Sequence, residues 1–204
     1  MSRWLTVSIA ALALTVLLPV IAVVSVLIRV TMGGPVLFRQ ERTGQGGAPF
    51  ELLKFRTMLD ARDARGELLS DDERTTRLGA LLRKTSLDEL PGLINVVLGD
   101  MNLVGPRPVL HDYYELFNTD QLRRFDVRGG VTGWAQVNGR NGLTWEDKFE
   151  LDTWYVDNRS LLLDLKILLM TVGVVVSGSG VSASETITME RFQGTKASQE
   201  SNPT

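Results

Sequence analysis

From Leu5 to Ile28 the chain runs for 24 residues without a charged side chain, between Arg3 and Arg29, and no other stretch restricts its fold as much. As a straight helix this run measures about 36 Å, enough to reach across a bilayer. A cleaved signal peptide is excluded, because its apolar region is shorter and ends at small residues, whereas this one ends in Val26-Leu27-Ile28-Arg29. Pro19 lies inside the run, where it removes a backbone hydrogen bond at a cost of about 3 kcal/mol unless the helix bends. The residues alone favour a kinked spanning helix over a re-entrant hairpin, since a helix break exposed to lipid is costly. One arginine at each end leaves the positive-inside signal balanced and compatible with both ends being cytoplasmic.

The rest of the 204 residues suffices for one sizeable core. The formal charge is −2, from 22 basic and 24 acidic residues, so there is no electrostatic footprint for nucleic acid and any anion site must be local. The absence of cysteine excludes disulfide staples, thiolate zinc sites and a cysteine nucleophile.

After the anchor, Met32-Gly33-Gly34-Pro35 signals a turn into a strand at Val36-Leu37-Phe38. Arg42 to Pro49, with three glycines, reads as a loop, and Phe50 to Met58 as a second strand able to pair with the first as a hairpin. Asp60 to Glu73 reads as an exposed helix and turn; Leu78, Leu81 and Leu82 have helical spacing; Asp88 to Leu98 reads as a helix ended by Gly99, and Tyr113 to Phe125 as another. Val127 to Gly142 holds five glycines and reads as turns around a short strand, followed by a helix over Trp145 to Tyr155. Leu161 to Val176 is apolar but interrupted by Asp164 and Lys166, which predicts a helix in the membrane interface or the core rather than a second span. The polar tail from Gln193 is expected to be disordered.

Thr85-Ser86-Leu87-Asp88-Glu89-Leu90-Pro91 carries the most chemistry. As helix grammar, Ser86 and Glu89 match a capping box. Pro91 would then be the fifth helical residue, where its missing N–H is wanted, so a helix starting nearer Asp88 is preferred. The positive helix end would then keep a carboxylate ionised and attract phosphate. An ionised carboxylate can act as nucleophile or cation ligand, and its neighbour, about 100° away, can handle protons. Gly105-Pro106-Arg107-Pro108 encloses one guanidinium between two residues of fixed φ, which pre-aims a group suited to bidentate phosphate binding. Lys54 and Arg56, two apart in a strand, would share a face and suit a diphosphate; Arg83 is a further cation five residues before Asp88. Gly129 to Arg140 mixes glycines with Gln136, Asn138 and Arg140, as a loop approaching a ligand or merely turning tightly would. His111, the single histidine, has no partner motif and reads as structural, and Gly44-Gln45-Gly46-Gly47 is neither a P-loop nor a dinucleotide fingerprint.

In chain order, Phe38-Arg39-Gln40-Glu41-Arg42, Lys54 to Met58, Ser86 to Pro91, Gly99-Asp100-Met101, Val104 to Pro108 and Thr132 to Arg140 together resemble the bacterial sugar transferase family, specifically its small monotopic phosphoglycosyl transferases. The resemblance runs from the anchor to about Phe192. It implies an α/β, helix-rich fold with a small β-hairpin: a re-entrant anchor over 1–31 broken near Pro19, a catalytic domain over 32–192 on the cytoplasmic face of the bacterial inner membrane, and a disordered tail over 193–204. The anchor preference is thereby reversed, although Ser2-Arg3-Trp4-Leu5-Thr6 departs from the family's usual start.

The implied reaction is transfer of a sugar phosphate from a UDP-sugar to polyprenyl (undecaprenyl) phosphate, releasing UMP, by a ping-pong route through an aspartyl phosphosugar. Asp88 would be the nucleophile and Mg²⁺ ligand, and Glu89 would help deprotonate the acceptor. Lys54, Arg56, Arg83, Pro106, Arg107, Gln136 and Arg140 would bind substrate. Membrane lipids and downstream glycosyltransferases follow as partners, without nucleic acid. Arg62 to Leu69 with Asn138 to Asn141 looks most like members acting on an N-acetylated amino sugar such as diacetylbacillosamine, with a plain hexose or N-acetylgalactosamine left open as the alternatives. The competing readings are a non-catalytic, membrane-anchored nucleotide or phosphate binder, in which Asp88 and Glu89 only cap a helix, and a helix-anchored interaction protein.

Overall fold

The computed structural model describes residues 1–139, 142–177 and 191–194. Helix α1 (Arg3–Met32) continues through Pro19, so the secondary structure carries no interruption at the proline, and it is long and apolar enough to cross a membrane. One stripe of this helix packs on the rest of the chain. Ala10, with Ala13, Leu14 and Leu17 beside it, joins the main core, while Val24, Ile28 and Met32 join a second cluster around Phe55 and Leu82. This spacing of three and four residues is that of one helix face. The opposite face, including Leu12, Val16, Val23 and Val30, is exposed.

The expected hairpin forms from β1 (Leu37–Thr43) and β2 (Pro49–Phe55), antiparallel, with Phe38 opposite Lys54. Regular pairing stops at Phe55 rather than Met58. The expected helix over 60–73 shrinks to α2 (Asp71–Arg74), capped reciprocally by Ser70 and Glu73. The reason is local: the Asp63 carboxylate accepts the N–H groups of Arg65 and Glu67, and Gly66 adopts φ 83°, which together make a turn of what precedes. Helix α3 (Arg77–Lys84) buries Leu82 and leaves Leu81 exposed. Its Gly79 lies so close to the Thr57 backbone that a Cβ there would sit 1.9 Å from the Thr57 carbonyl oxygen.

The expected helix over 88–98 is delayed. Leu87–Glu89 form a single 3₁₀ turn, and α4 (Gly92–Leu98) begins only after Pro91. Gly99 ends α4 in the left-handed conformation, as expected. The stretch from Tyr113 to Phe125 is split into a 3₁₀ turn at His111–Leu116, α5 (Thr119–Leu122) and another 3₁₀ turn at Arg123–Phe125. A capping box between Asn118 and Gln121 restarts the helix there.

A second, parallel ladder that the sequence reading missed joins β3 (Asn102–Val104) to β4 (Gly130–Thr132). The glycine-rich stretch also holds α6 (Trp134–Asn138). Helix α7 (Trp145–Asn158) is capped by Thr144 and Asp147, and α8 (Leu161–Ser177) follows. In α8 Ile167 and Asp164 are buried, the latter accepting from the Tyr155 hydroxyl at 2.7 Å, while Leu162, Leu165, Leu169 and Val172 are exposed. The helix is therefore part of the core on one side and largely apolar surface on the other, with Lys166 exposed among the leucines. Phe192 inserts into an aromatic cluster with Tyr113, Phe117, Trp145 and Phe149. The tail expected over 193–204 lies outside the described residues from 195 onward.

Candidate active site

Strand β2 is tied to α4 by one buried side chain of that helix. Asn95 accepts from the Leu53 N–H at 3.0 Å and donates to the Glu51 carbonyl at 2.7 Å and to Asp100 at 3.1 Å. This fixes the backbone on which Lys54 stands. From the other side, α3 leads into Ser86, which adopts φ 56°, an uncommon conformation for a residue with a Cβ. Ser86 makes no side-chain cap. The capping box is therefore not formed, and the acidic pair sits in a 3₁₀ turn rather than on a helix end.

Glu89 instead binds two cations. Lys54 Nζ donates to Glu89 Oε1 at 3.1 Å, and Arg107 forms a two-pronged pair, Nη1 to Oε2 at 3.1 Å and Nη2 to Oε1. Burial pushes the Glu89 carboxyl up, but the charges and hydrogen bonds of Arg107 and Lys54 outweigh it and hold the group far below the usual carboxylate range. Glu89 in turn raises Arg107, whereas Lys54 is lowered by burial despite the carboxylate beside it. Lys54, Glu89 and Arg107 line a cleft of about 280 Å³ with Gly92, Gly130 and Val131. Arg107 remains 46% exposed in its side chain, so the cluster is open to a ligand from solution.

Asp88 is the opposite case. Among the described residues it has no hydrogen bond or ion pair, and burial together with the Glu89 charge pushes its carboxyl up to about 6, restrained by Lys54, Arg107 and Arg83 nearby. At neutral pH it is still mostly ionised. A carboxylate with no bonded partner keeps its lone pairs for an electrophile or a cation. Among the described residues no group of three or more His, Asp or Glu side chains forms a metal cage; Asp88 is the carboxylate here that could join a hard divalent ion.

The other candidates separate. Among the described residues Arg83 donates its Nε to Thr57 Oγ1 at 3.1 Å and reaches Asp88 through its charge. Arg56 is turned to the end of α1: its guanidinium donates to the carbonyls of Met32, Gly34, Pro35 and Met58. Regular strand pairing has ended before Arg56, so the shared face expected of Lys54 and Arg56 does not put both cations on Glu89. Pro106 is buried, and its carbonyl accepts from Gly130 at 2.9 Å. Gln136 packs beside Gly133, with both amide atoms buried and unpartnered among the described residues. Arg140 lies outside the described residues. His111 shares a 3.3 Å contact with Thr43 Oγ1 and stacks on Tyr114.

Two arginines escaped the sequence reading as site residues. Arg42 donates to the Pro108 carbonyl at 3.2 Å, and burial, then Arg107, pushes it down to about 10. Arg124 is buried against Asp152, with Nη2 to Oδ2 at 2.6 Å, and also donates to the Arg107 carbonyl at 2.8 Å. Arg42 closes the Phe38-Arg39-Gln40-Glu41-Arg42 motif. Arg124 had no signal beyond lying in a segment misread as one helix.

Comparison with known proteins completes the picture. The profile of the family described as Bacterial sugar transferase matches residues 1–178. The chain is 55% identical over 167 residues to the "Uncharacterized sugar transferase EpsL" of Bacillus subtilis, covering 82% of this chain and 83% of that one. It is 38% identical over 195 residues to the "Exopolysaccharide production protein ExoY" of Sinorhizobium fredii, covering 87% and 86%. With the "UDP-glucose:undecaprenyl-phosphate glucose-1-phosphate transferase" of Caulobacter vibrioides it shares 43% identity over 180 residues, 83% of this chain and 67% of the relative. Matched along most of its length by the profile and by relatives of such identity, the chain belongs to the bacterial sugar transferase family.

Proposed function

We propose that the protein transfers a sugar-1-phosphate from a UDP-sugar to polyprenyl phosphate at the membrane, releasing UMP. Membership of the family makes the chain a sugar-phosphate transferase, and a relative named for transfer of glucose-1-phosphate to undecaprenyl phosphate supports the reaction class. The observation that carries the reading is the unequal acidic pair: Glu89 holds Lys54 and Arg107 in the lining of a cleft, while Asp88 beside it has no bonded partner among the described residues.

In the proposed first step an Asp88 oxygen attacks the sugar-bearing phosphorus. The Asp–O–P bond forms, the bond to the bridging diphosphate oxygen breaks, and UMP leaves with that electron pair. In the second step an oxygen of polyprenyl phosphate attacks the same phosphorus and the Asp88 carboxylate is released. Arg107, with its planar fork, and Lys54 are set to take the phosphoryl oxygens. An entering diphosphate competes with Glu89 for these two cations. Freed from them, Glu89 can take the acceptor's proton, which is the role expected of it. Mg²⁺ at Asp88 would neutralise charge on the phosphoryl oxygens.

The packing of α1 supports a monotopic arrangement. A spanning helix sends its ends to opposite faces, yet Ala10 and Met32 both pack on the same body. We propose an anchor over 1–31 whose two ends stay on one side, which in the membrane requires the helix to bend near Pro19, where a backbone hydrogen bond is missing, with 32–192 as the catalytic unit on the cytoplasmic face. An N-acetylated amino sugar remains the proposed sugar of the donor. UMP release from a panel of UDP-glucose, UDP-galactose and UDP-diacetylbacillosamine, each with polyprenyl phosphate, tests that choice.

The decisive experiment is Asp88→Asn in lipid nanodiscs. UMP release is expected to disappear, and chelation of divalent cations by EDTA is expected to stop the unmodified protein. Full activity of Asp88→Asn would remove the assigned nucleophile.

A further inference from the structure

Arg107 is useful as a phosphate ligand only if its loop is held still, and the Gly105-Pro106-Arg107-Pro108 turn is exposed at its tip. Its backbone is gripped with unusual completeness. Four consecutive carbonyls all accept: Pro106 from Gly130 N–H at 2.9 Å, Arg107 from Arg124 Nη2 at 2.8 Å, Pro108 from Arg42 Nη1 at 3.2 Å, and Val109 from Thr43 N–H at 3.0 Å. The two main-chain donors belong to β4 and β1, and the two side-chain donors reach in from β1 and from the 3₁₀ turn after α5. Each donor arginine is itself held. Arg42 Nη2 donates to Gln40 Oε1 at 2.5 Å. Arg124 is pinned by Asp152 of α7, the two side chains being 2% and 3% exposed, and lies against the rings of Phe117, Phe125 and Phe149.

We infer that Arg42 and Arg124, with Asp152 behind the latter, are positioning residues that act on the reaction through Arg107 by fixing the main chain on either side of its Cα. This also gives a task to the Phe38-Arg39-Gln40-Glu41-Arg42 motif, whose Gln40 and Arg42 are consecutive links to the loop. At Arg42 a guanidinium serves better than an ammonium, because Nη2 holds Gln40 while Nη1 binds the carbonyl. The inference rests on the proposed role of Arg107, so the test separates the two.

The experiment is a double-mutant cycle on UMP release with a saturating acceptor, using Arg42→Met, the pair Arg124→Met with Asp152→Leu, and Arg107→Ala. The paired change removes both buried charges at once, so neither is left alone. Misplacing a substrate-holding group by an ångström can cost about 10²-fold. Each positioning variant is therefore expected to lower kcat/KM by up to about that factor, and Arg42→Lys to recover only part of it. In the Arg107→Ala background the same changes are expected to cost less than about threefold, since interactions through a shared partner are not additive. Losses that multiply in that background overturn the inference, because the arginines then touch substrate or stability independently of Arg107. Should the paired variant melt below the assay temperature, the Arg42 arm decides alone. If Arg107→Ala leaves kcat/KM unchanged, the reading of Arg107 as a phosphate ligand falls and the inference with it; loss on Arg107→Ala with multiplying losses elsewhere leaves that reading standing.

Discussion

Two neighbouring carboxylates in one turn have been given different lives by what surrounds them. Glu89 accepts from Lys54 and Arg107 on both oxygens, while Asp88 accepts from no described residue. A low-lying carboxylate between two cations is a poor nucleophile and a good organiser; an unbonded one is the better attacking group. Their removal should therefore stop different steps. Glu89→Gln is expected to release about one equivalent of UMP in a burst and to leave the sugar phosphate on the protein, visible as added mass of the intact chain, with turnover falling about 10²-fold or more. Asp88→Asn is expected to give neither burst nor adduct. A Glu89→Gln enzyme that turns over normally, or an Asp88→Asn enzyme that still forms the adduct, contradicts the division of labour. The identity of both residues was legible in Ser86-Leu87-Asp88-Glu89-Leu90-Pro91, but the difference between them was not. It depends on Lys54 and Arg107, which are 35 and 18 residues away from Glu89 in the chain.

At the scale of elements, the glycine-rich stretch 129–133 was open between approaching a ligand and turning tightly, and the described contacts are with another loop. A Cβ on Gly130 would lie 2.1 Å from the Gly105 nitrogen and 2.3 Å from the Thr132 oxygen, and one on Gly133 would lie 2.1 Å from the Gly105 oxygen. These neighbours are backbone on both sides, so nothing yields easily. The glycines let β4 pair in parallel with β3 and press on the turn that presents Arg107. Gly130→Ala is accordingly expected to destabilise the fold by about 1–3 kcal/mol through overpacking, read as a lower thermal midpoint, and to weaken UMP release more than its loss of stability explains. A wild-type midpoint would show that the two loops are not packed this closely. The parallel ladder could not be read beforehand, since its two strands are three residues each and too short to show an alternating pattern.

For the whole molecule the question is how a water-facing cleft and a lipid-facing surface share one chain. The exposed faces of α1 and α8 are largely apolar, whereas the cleft sets the charged groups of Lys54, Glu89 and Arg107 among apolar neighbours such as Leu52, Met101 and Val131. A single cysteine introduced near Ser2 and another near Thr31, in a chain with no cysteine of its own, report the topology directly. Both are expected to react with an impermeant reagent from the cytoplasmic side only. Labelling from opposite sides would return the anchor to an ordinary span.

The sequence by itself determined the long apolar helix, the hairpin, the stop at Gly99 and which charged residues were available for phosphate chemistry. These are local matters, set by hydrophobic period, backbone preference and side-chain type within a turn or a strand. Only the tertiary structure decided that α1 lies along the body with both ends on it, that Arg56 serves the end of the anchor, and that Glu89 binds Lys54 and Arg107 in place of capping a helix. Such choices are made by distance and burial between segments remote in the chain, where one ion pair forms at the expense of another. No periodicity records which partner wins.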